Sequence, residues 1–75
     1  MSSSGEEQFF KALGRRLSVL RKEKDLTQEQ LGSKSGIDWK HIGFIEQGRM
    51  APTVRTSYRI AKGLGIKIEE LFKGL

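Results

Sequence analysis

Between residues 9 and 24 the apolar positions Phe10, Leu13, Leu17 and Leu20 recur at steps of three and four, with Arg15, Arg16, Lys22 and Glu23 mostly on the opposite side. That spacing predicts an amphipathic first helix. In "DLTQEQLGSKSG" Thr27 stands as an N-cap with Gln30 three residues later, so each side chain can satisfy an orphan backbone N–H of the other. A second helix is expected over 28–35, closed by Gly36. Asp38 can cap a third over 39–47, ended by Gly48, and "RMAP" reads as a turn. Thr53 can cap a fourth helix running to about Gly63, with Gly65 beyond its end. A fifth is expected over 68–73, with Glu69 and Glu70 near its positive end. Its cap position holds Lys67, which offers no acceptor. There is no sustained alternation of period two and no Asn-Gly or Asp-Gly hairpin turn. The pattern predicts an all-α chain, a compact bundle of five short helices. The polar stretch over 1–7 is expected to be a flexible N-terminal tail and 8–75 the domain.

Helices two and three, joined through Ser35, Gly36 and Ile37, read as a helix-turn-helix in which Leu31, Ile37, Ile42 and Ile45 lock the pair together. In such a pair the second helix can enter a DNA major groove while the first crosses the backbone; similar helix pairs also occur in proteins that bind no DNA. At about 100° per residue, Ile42 and Ile45 set the core direction of the third helix. Lys40 and Gln47 then point away, Gly43 and Phe44 flank them, and Trp39 lies at the boundary. Two aromatic side chains are thus placed off the core side of a short helix.

Charge strengthens the DNA reading. Fourteen Lys and Arg against nine Asp and Glu give +5 over 75 residues, which suits a polyanionic partner. With 36% hydrophobic residues and no cysteine, one modest core must be held by helix packing, without disulfides or thiolate-bound metal. Catalysis finds no footing, because one His, no Cys, no phosphate-cradling Gly motif and no convergent acid pair leave nothing to perform it. No metal and no cofactor are expected. The absence of a signal-peptide pattern and of any apolar run near the ~20 residues that span a bilayer points to a cytoplasmic, nucleoid-associated protein without a membrane partner.

Three segments, "LGRRLSVLRKEKDLTQEQLGSKSGI", "IGFIEQGRMAPT" and "RIAKGLGIKIEELF", resemble the Cro and phage CI-repressor type of helix-turn-helix domain, the XRE family. The likeness runs from about Leu13 to Phe72 and includes "LTQEQL", "IxxIEQG", the proline after the third helix and "IAKxLG". It implies a lambda-repressor-like DNA-binding domain whose base-reading surface is the outer face of the third helix. On that reading the candidate base readers are Trp39, Lys40, Gly43, Phe44 and Gln47. Lys40 suits guanine O6 and N7 or a phosphate. Trp39 departs from the polar residue usual there and either packs on a thymine methyl or sugar edge or folds back on the domain. Phe44 suits a thymine methyl or a protein interface. Gly43, poor in helix propensity, suggests a close backbone approach, to a phosphate or to the neighbouring helix.

Backbone contacts are expected from Thr27 and Gln28, at the N-terminal end of the second helix where amide groups and the helix dipole favour an anion, and from Arg49 in the turn after the third helix. His41 is left between a phosphate contact and plain packing, and Lys34 and Arg55 are weaker candidates. The resemblance further implies a partly buried ion pair between Arg21 and Glu46. Ser57 stands where relatives usually carry a leucine-like core residue, so the fourth helix is expected to pack loosely or to shift weight onto Tyr58.

Ile66, Ile68, Leu71, Phe72 and Leu75 offer more apolar surface than a short last helix can bury, and a symmetric homodimer is expected through Ile66, Ile68, Leu71 and Phe72. The whole describes a stand-alone transcriptional regulator, a repressor or autoregulatory controller, on a pseudo-palindromic double-stranded operator, controlled by its own concentration with no small-molecule ligand. The alternative is an antitoxin-type or other protein-interaction module on the same fold; a toxin or RNA polymerase is the further candidate partner.

Overall fold

Helix α1, Gly5–Glu23, opens with the Ser4 side chain accepting the Glu7 N–H at 3.0 Å and with Glu6 and Glu7 in its positive first turn. The computed structural model describes residues 4–75. Residues 5–7, expected in a tail, are therefore the first turn of a helix, because capping and charge sustain it where apolar periodicity is missing. Residues 1–3 of the expected tail lie outside the described residues. Lys24 and Asp25 then turn the chain, Asp25 in the left-handed region at φ 55° that Asp tolerates better than most residues.

α2, Gln28–Ser35, has both halves of the expected capping box, and Gly36 closes it with φ 68°, a conformation a Cβ would strain. α3, Trp39–Glu46, starts where the Asp38 carboxylate accepts the Lys40 N–H at 2.9 Å. α4, Val54–Leu64, is capped by Thr53 and reaches one residue past Gly63 before Gly65 ends it. α5, Ile68–Leu71, is a single turn, shorter than expected. No side chain caps it, and Phe72 already leaves the helix.

The helices enclose one core, with Leu13, Leu17 and Leu20 from α1, Leu31 from α2, Ile42 and Ile45 from α3, Ile60 and Leu64 from α4, and Leu71 from α5. Phe10, Leu26, Ile37, Ile66 and Phe72 pack around it, partly exposed. Leu71 corrects an expectation. It is 1% exposed inside its own chain, so it is a core residue and offers nothing to a second protomer. The short α5 turns this one side chain inward, and the Arg16 guanidinium donates to the Glu70 carbonyl at 2.8 and 3.2 Å, tying α5 to α1.

Ser57 is buried at 2% exposure and donates its hydroxyl to the Thr53 carbonyl at 2.9 Å, while Tyr58 stands 56% exposed. The weight expected on Tyr58 is not there; a serine that bonds its own helix backbone can be buried without a substitute. Among the described residues no helix is long and apolar enough to cross a membrane.

Candidate nucleic-acid interface

α3 is gripped from its inner side. Ile42 and Ile45 enter the core, and Gly14 of α1 lies directly against the last turn of α3, where a Cβ would collide with the carbonyl oxygens of Ile45 and Glu46. The two helices therefore meet backbone to backbone. Gly32 of α2 does the same for the turn, since a Cβ there would stand 2.7 Å from the Ile37 carbonyl oxygen. Neither approach was read from the sequence. A glycine next to a core leucine inside a helix, as at Leu13-Gly14, is the signal that could have shown the first.

The expected ion pair forms across the α1–α3 crossing. Arg21 Nε donates to Glu46 Oε2 at 2.6 Å and Nη2 to Oε1 at 3.1 Å, while Nη1 donates to the Leu26 carbonyl at 2.8 Å. The two side chains are 11% and 8% exposed. Hydrogen bonding to Glu46 outweighs burial and raises the Arg21 pKa above its ordinary value, so the guanidinium stays charged.

Gln28 adds a third member to this pair. Its Nε2 donates to Glu46 Oε1 at 3.0 Å, and the carboxamide lies across Gly43, where a Cβ would stand 3.4 Å from Gln28 Oε1. Gly43, expected on the outer surface, is instead buried beneath Gln28. Its angular position on α3 is outward, but α2 covers that side. The close approach goes to the neighbouring helix.

The rest of the outward set is open. Trp39, 43% exposed, and Phe44, 41% exposed, flank Lys40 and Gln47, both exposed. Lys40 Nζ stands 6.0 Å from the Trp39 ring centre, and the Arg49 guanidinium 5.8 Å from that of Phe44. Arg49 also donates to Gln47 Oε1 at 3.3 Å. Each ring thus carries a cation at a distance where its quadrupole attracts one. At the start of α2 the Thr27 hydroxyl accepts the Gln30 N–H at 3.0 Å, and the Thr27 N–H donates to Gln30 Oε1 at 2.9 Å, so the helix end beside Gln28 is fixed. His41 is half-buried on the flank of α3. The arrangement combines rings and amides that suit base edges with cations and a helix end that suit phosphates.

The model of the HTH_3 helix-turn-helix family matches residues 17–71. The chain belongs to that family. Its members are DNA-binding transcriptional regulators rather than enzymes. This helix-turn-helix chain is 41% identical over 61 residues to an uncharacterized HTH-type transcriptional regulator, y4dJ, of Sinorhizobium fredii, covering 81% of this chain and 79% of the relative. It is 34% identical over 59 residues to the immunity repressor protein of Bacillus phage phi105, covering 79% of this chain and 41% of the repressor. Among solved structures, the restriction-modification controller protein C.AhdI of Aeromonas hydrophila superposes with a TM-score of 0.81 at 35% identity, over 87% of this chain and 97% of that one. The matched span takes in α2, the turn and α3 whole, which are the elements that carry the outward face.

Proposed function

We propose that this helix-turn-helix regulator binds a pseudo-palindromic operator as a symmetric homodimer, with α3 of each protomer in the major groove of a half-site. The half-sites lie one helical turn, about 34 Å, apart. The observation that carries the reading is the division of α3. Its inner side gives Ile42 and Ile45 to the core, while Trp39, Lys40, Phe44 and Gln47 remain exposed on a chain of charge +5. Trp39 and Phe44 meet thymine methyls, Lys40 and Gln47 hydrogen-bond base edges, and Thr27, Gln28, His41 and Arg49 hold phosphates on either side.

The second protomer is taken on the α4–α5 side. Ile66, Ile68 and Phe72 are only partly buried there, and with Tyr58, Ala61 and Lys62 the first two line an open hollow of about 320 Å³. Kinship with an immunity repressor and a restriction-modification controller supports repression or autoregulation, set by the protein's own concentration in the cytoplasm and on the nucleoid.

Selection of bound sequences from random duplex DNA, repeated with Lys40→Ala and Phe44→Ala, tests this. The unaltered protein is expected to enrich a two-fold symmetric motif, and each variant to relax preference at one base position per half-site. Uniformly weaker binding with a shallower salt dependence would demote a residue to a phosphate contact. Protection of Phe44 by a protein partner and not by DNA would favour an antitoxin-type module instead.

A further inference from the structure

Glu46 serves two partners at once, and the second lies at the N-terminal end of α2. Its Oε2 takes Arg21 Nε, while its Oε1 accepts from both Arg21 Nη2, at 3.1 Å, and Gln28 Nε2, at 3.0 Å. An ionised carboxylate only accepts hydrogen bonds, so it can face the nitrogen end of a carboxamide and never the oxygen end. Arg21 holds Glu46 in place through two of those bonds and is itself anchored on the Leu26 carbonyl, just ahead of α2. Gly43 supplies the bare surface across which the carboxamide lies. The side chain of Gln28 is thereby restrained from below, by the glycine, and at its end, by the acid.

We propose that Glu46 is a positioning residue for DNA binding, locking the Gln28 carboxamide with its nitrogen fixed and its second N–H free to donate to a phosphate. This rests on the operator reading proposed above. A glutamine free to rotate would present its carbonyl to the phosphate in part of its population and would lose side-chain freedom on binding. A clamped one meets the phosphate already ordered. The Arg21–Glu46 pair, whose role in holding α1 to α3 is plain from its geometry, gains a second consequence through the Oε1 that Arg21 and Gln28 share.

The test is a double-mutant cycle on full-length protein with the selected operator, using Gln28→Ala, Glu46→Gln and both together, at a temperature where circular dichroism shows each fully folded. Glu46→Gln keeps shape and an acceptor for Arg21 but no longer dictates which end of Gln28 faces it. It is expected to weaken operator binding about tenfold through loss of the ordered carboxamide–phosphate hydrogen bonds. In the Gln28→Ala background the same change is expected to have no further effect. Equal losses in both backgrounds would overturn the inference and leave Glu46 a purely structural residue.

Gly43→Leu repeats the test without touching the ion pair, because its side chain takes the space of the Gln28 carboxamide; it too must weaken operator binding more in the unaltered background than in Gln28→Ala, and equal losses in both count against the clamp. In the free protein, one Gln28 side-chain N–H should exchange slowly in ¹⁵N-resolved spectra and become fast in Glu46→Gln. Two fast protons in the unaltered protein would overturn the clamp regardless of DNA. Failure of the unaltered protein to bind any duplex would overturn the operator reading first, which keeps the two failures distinguishable.

Discussion

Gly63 of α4 and Ser35 of α2 sit so close that a Cβ on the glycine would overlap the serine hydroxyl oxygen, which is itself buried with no hydrogen-bond partner among the described residues. α2 and α4 approach each other there at the expense of one unsatisfied hydroxyl. Ser35→Ala removes that group, and an unsatisfied buried hydroxyl costs about 1 kcal/mol or more. The variant is expected to be about 1 kcal/mol more stable, which for a chain of this size raises Tm by about 4–8 °C. Gly63→Ala should lose about 1–2 kcal/mol, overpacking outweighing the gain in helix propensity, and should lose less in the Ser35→Ala background. Urea unfolding of the three variants reads both signs.

Gly14→Ala meets a harder neighbour. Its Cβ would press on the carbonyls of Ile45 and Glu46, which are backbone and cannot rotate aside. A loss of about 3 kcal/mol is expected, at the upper end for overpacking, with α3 displaced from α1. Denaturant midpoints measure the first, and amide chemical-shift changes confined to α1 and α3 the second. A loss below that of Gly63→Ala would contradict the backbone-to-backbone crossing.

Removing one half of the ion pair strands the other. Arg21→Ala and Glu46→Ala should each cost about 3 kcal/mol, because a nearly buried charge is left unpaired. The double replacement Arg21→Met with Glu46→Leu should recover most of that stability, since apolar residues of similar volume avoid the desolvation cost. Thermal unfolding monitored by circular dichroism distinguishes this recovery from simple addition of two losses.

Phe44 yields a test at the level of a single methyl group. If its ring covers a thymine methyl, replacing that thymine by deoxyuridine removes about one buried carbon, worth about 0.8 kcal/mol or about fourfold in affinity. The unaltered protein should show that loss at the thymine beneath Phe44 in each half-site, and Phe44→Ala should show none at that position. Fluorescence-anisotropy titrations on paired duplexes are sufficient.

Ile68→Glu places a charge in the proposed protomer contact while leaving Leu71 in the core. The variant should sediment as a monomer with its helix content intact. Operator affinity should fall about a hundredfold through loss of the linked second half-site. Sedimentation equilibrium of an unaltered protein that stays monomeric at high micromolar concentration would count against the dimer.

What was legible in the sequence is what is decided locally. Thr27, Gln30 and Gly36 act within one turn of α2, and both ends of that helix fall where their chemistry puts them. The inward side of α3 was equally readable, because Ile42 and Ile45 carry their own periodicity. The errors concern what a neighbouring helix covers. Gly43 points away from Ile42 and Ile45, yet α2 lies on that side. Leu71 belongs to an apolar cluster whose division between core and surface is set by how α5 docks on α1. The start of α1 was missed for another reason. Ser4, Glu6 and Glu7 carry capping and dipole signals without any apolar repeat to draw attention to them. The Gln28–Glu46 bond joins residues 18 positions apart and leaves no local trace.

The gripping of α3 from one side has an evolutionary reach. Gly14, Ile42, Ile45 and Glu46 hold the helix from within and Gln28 covers Gly43, and none of Trp39, Lys40, Phe44 or Gln47 belongs to the buried core. Those four side chains can therefore drift through duplication and divergence without endangering the scaffold that displays them. On the operator reading proposed above, a gene copy needs only a few surface substitutions to acquire a new address on the chromosome, while the parent keeps its own.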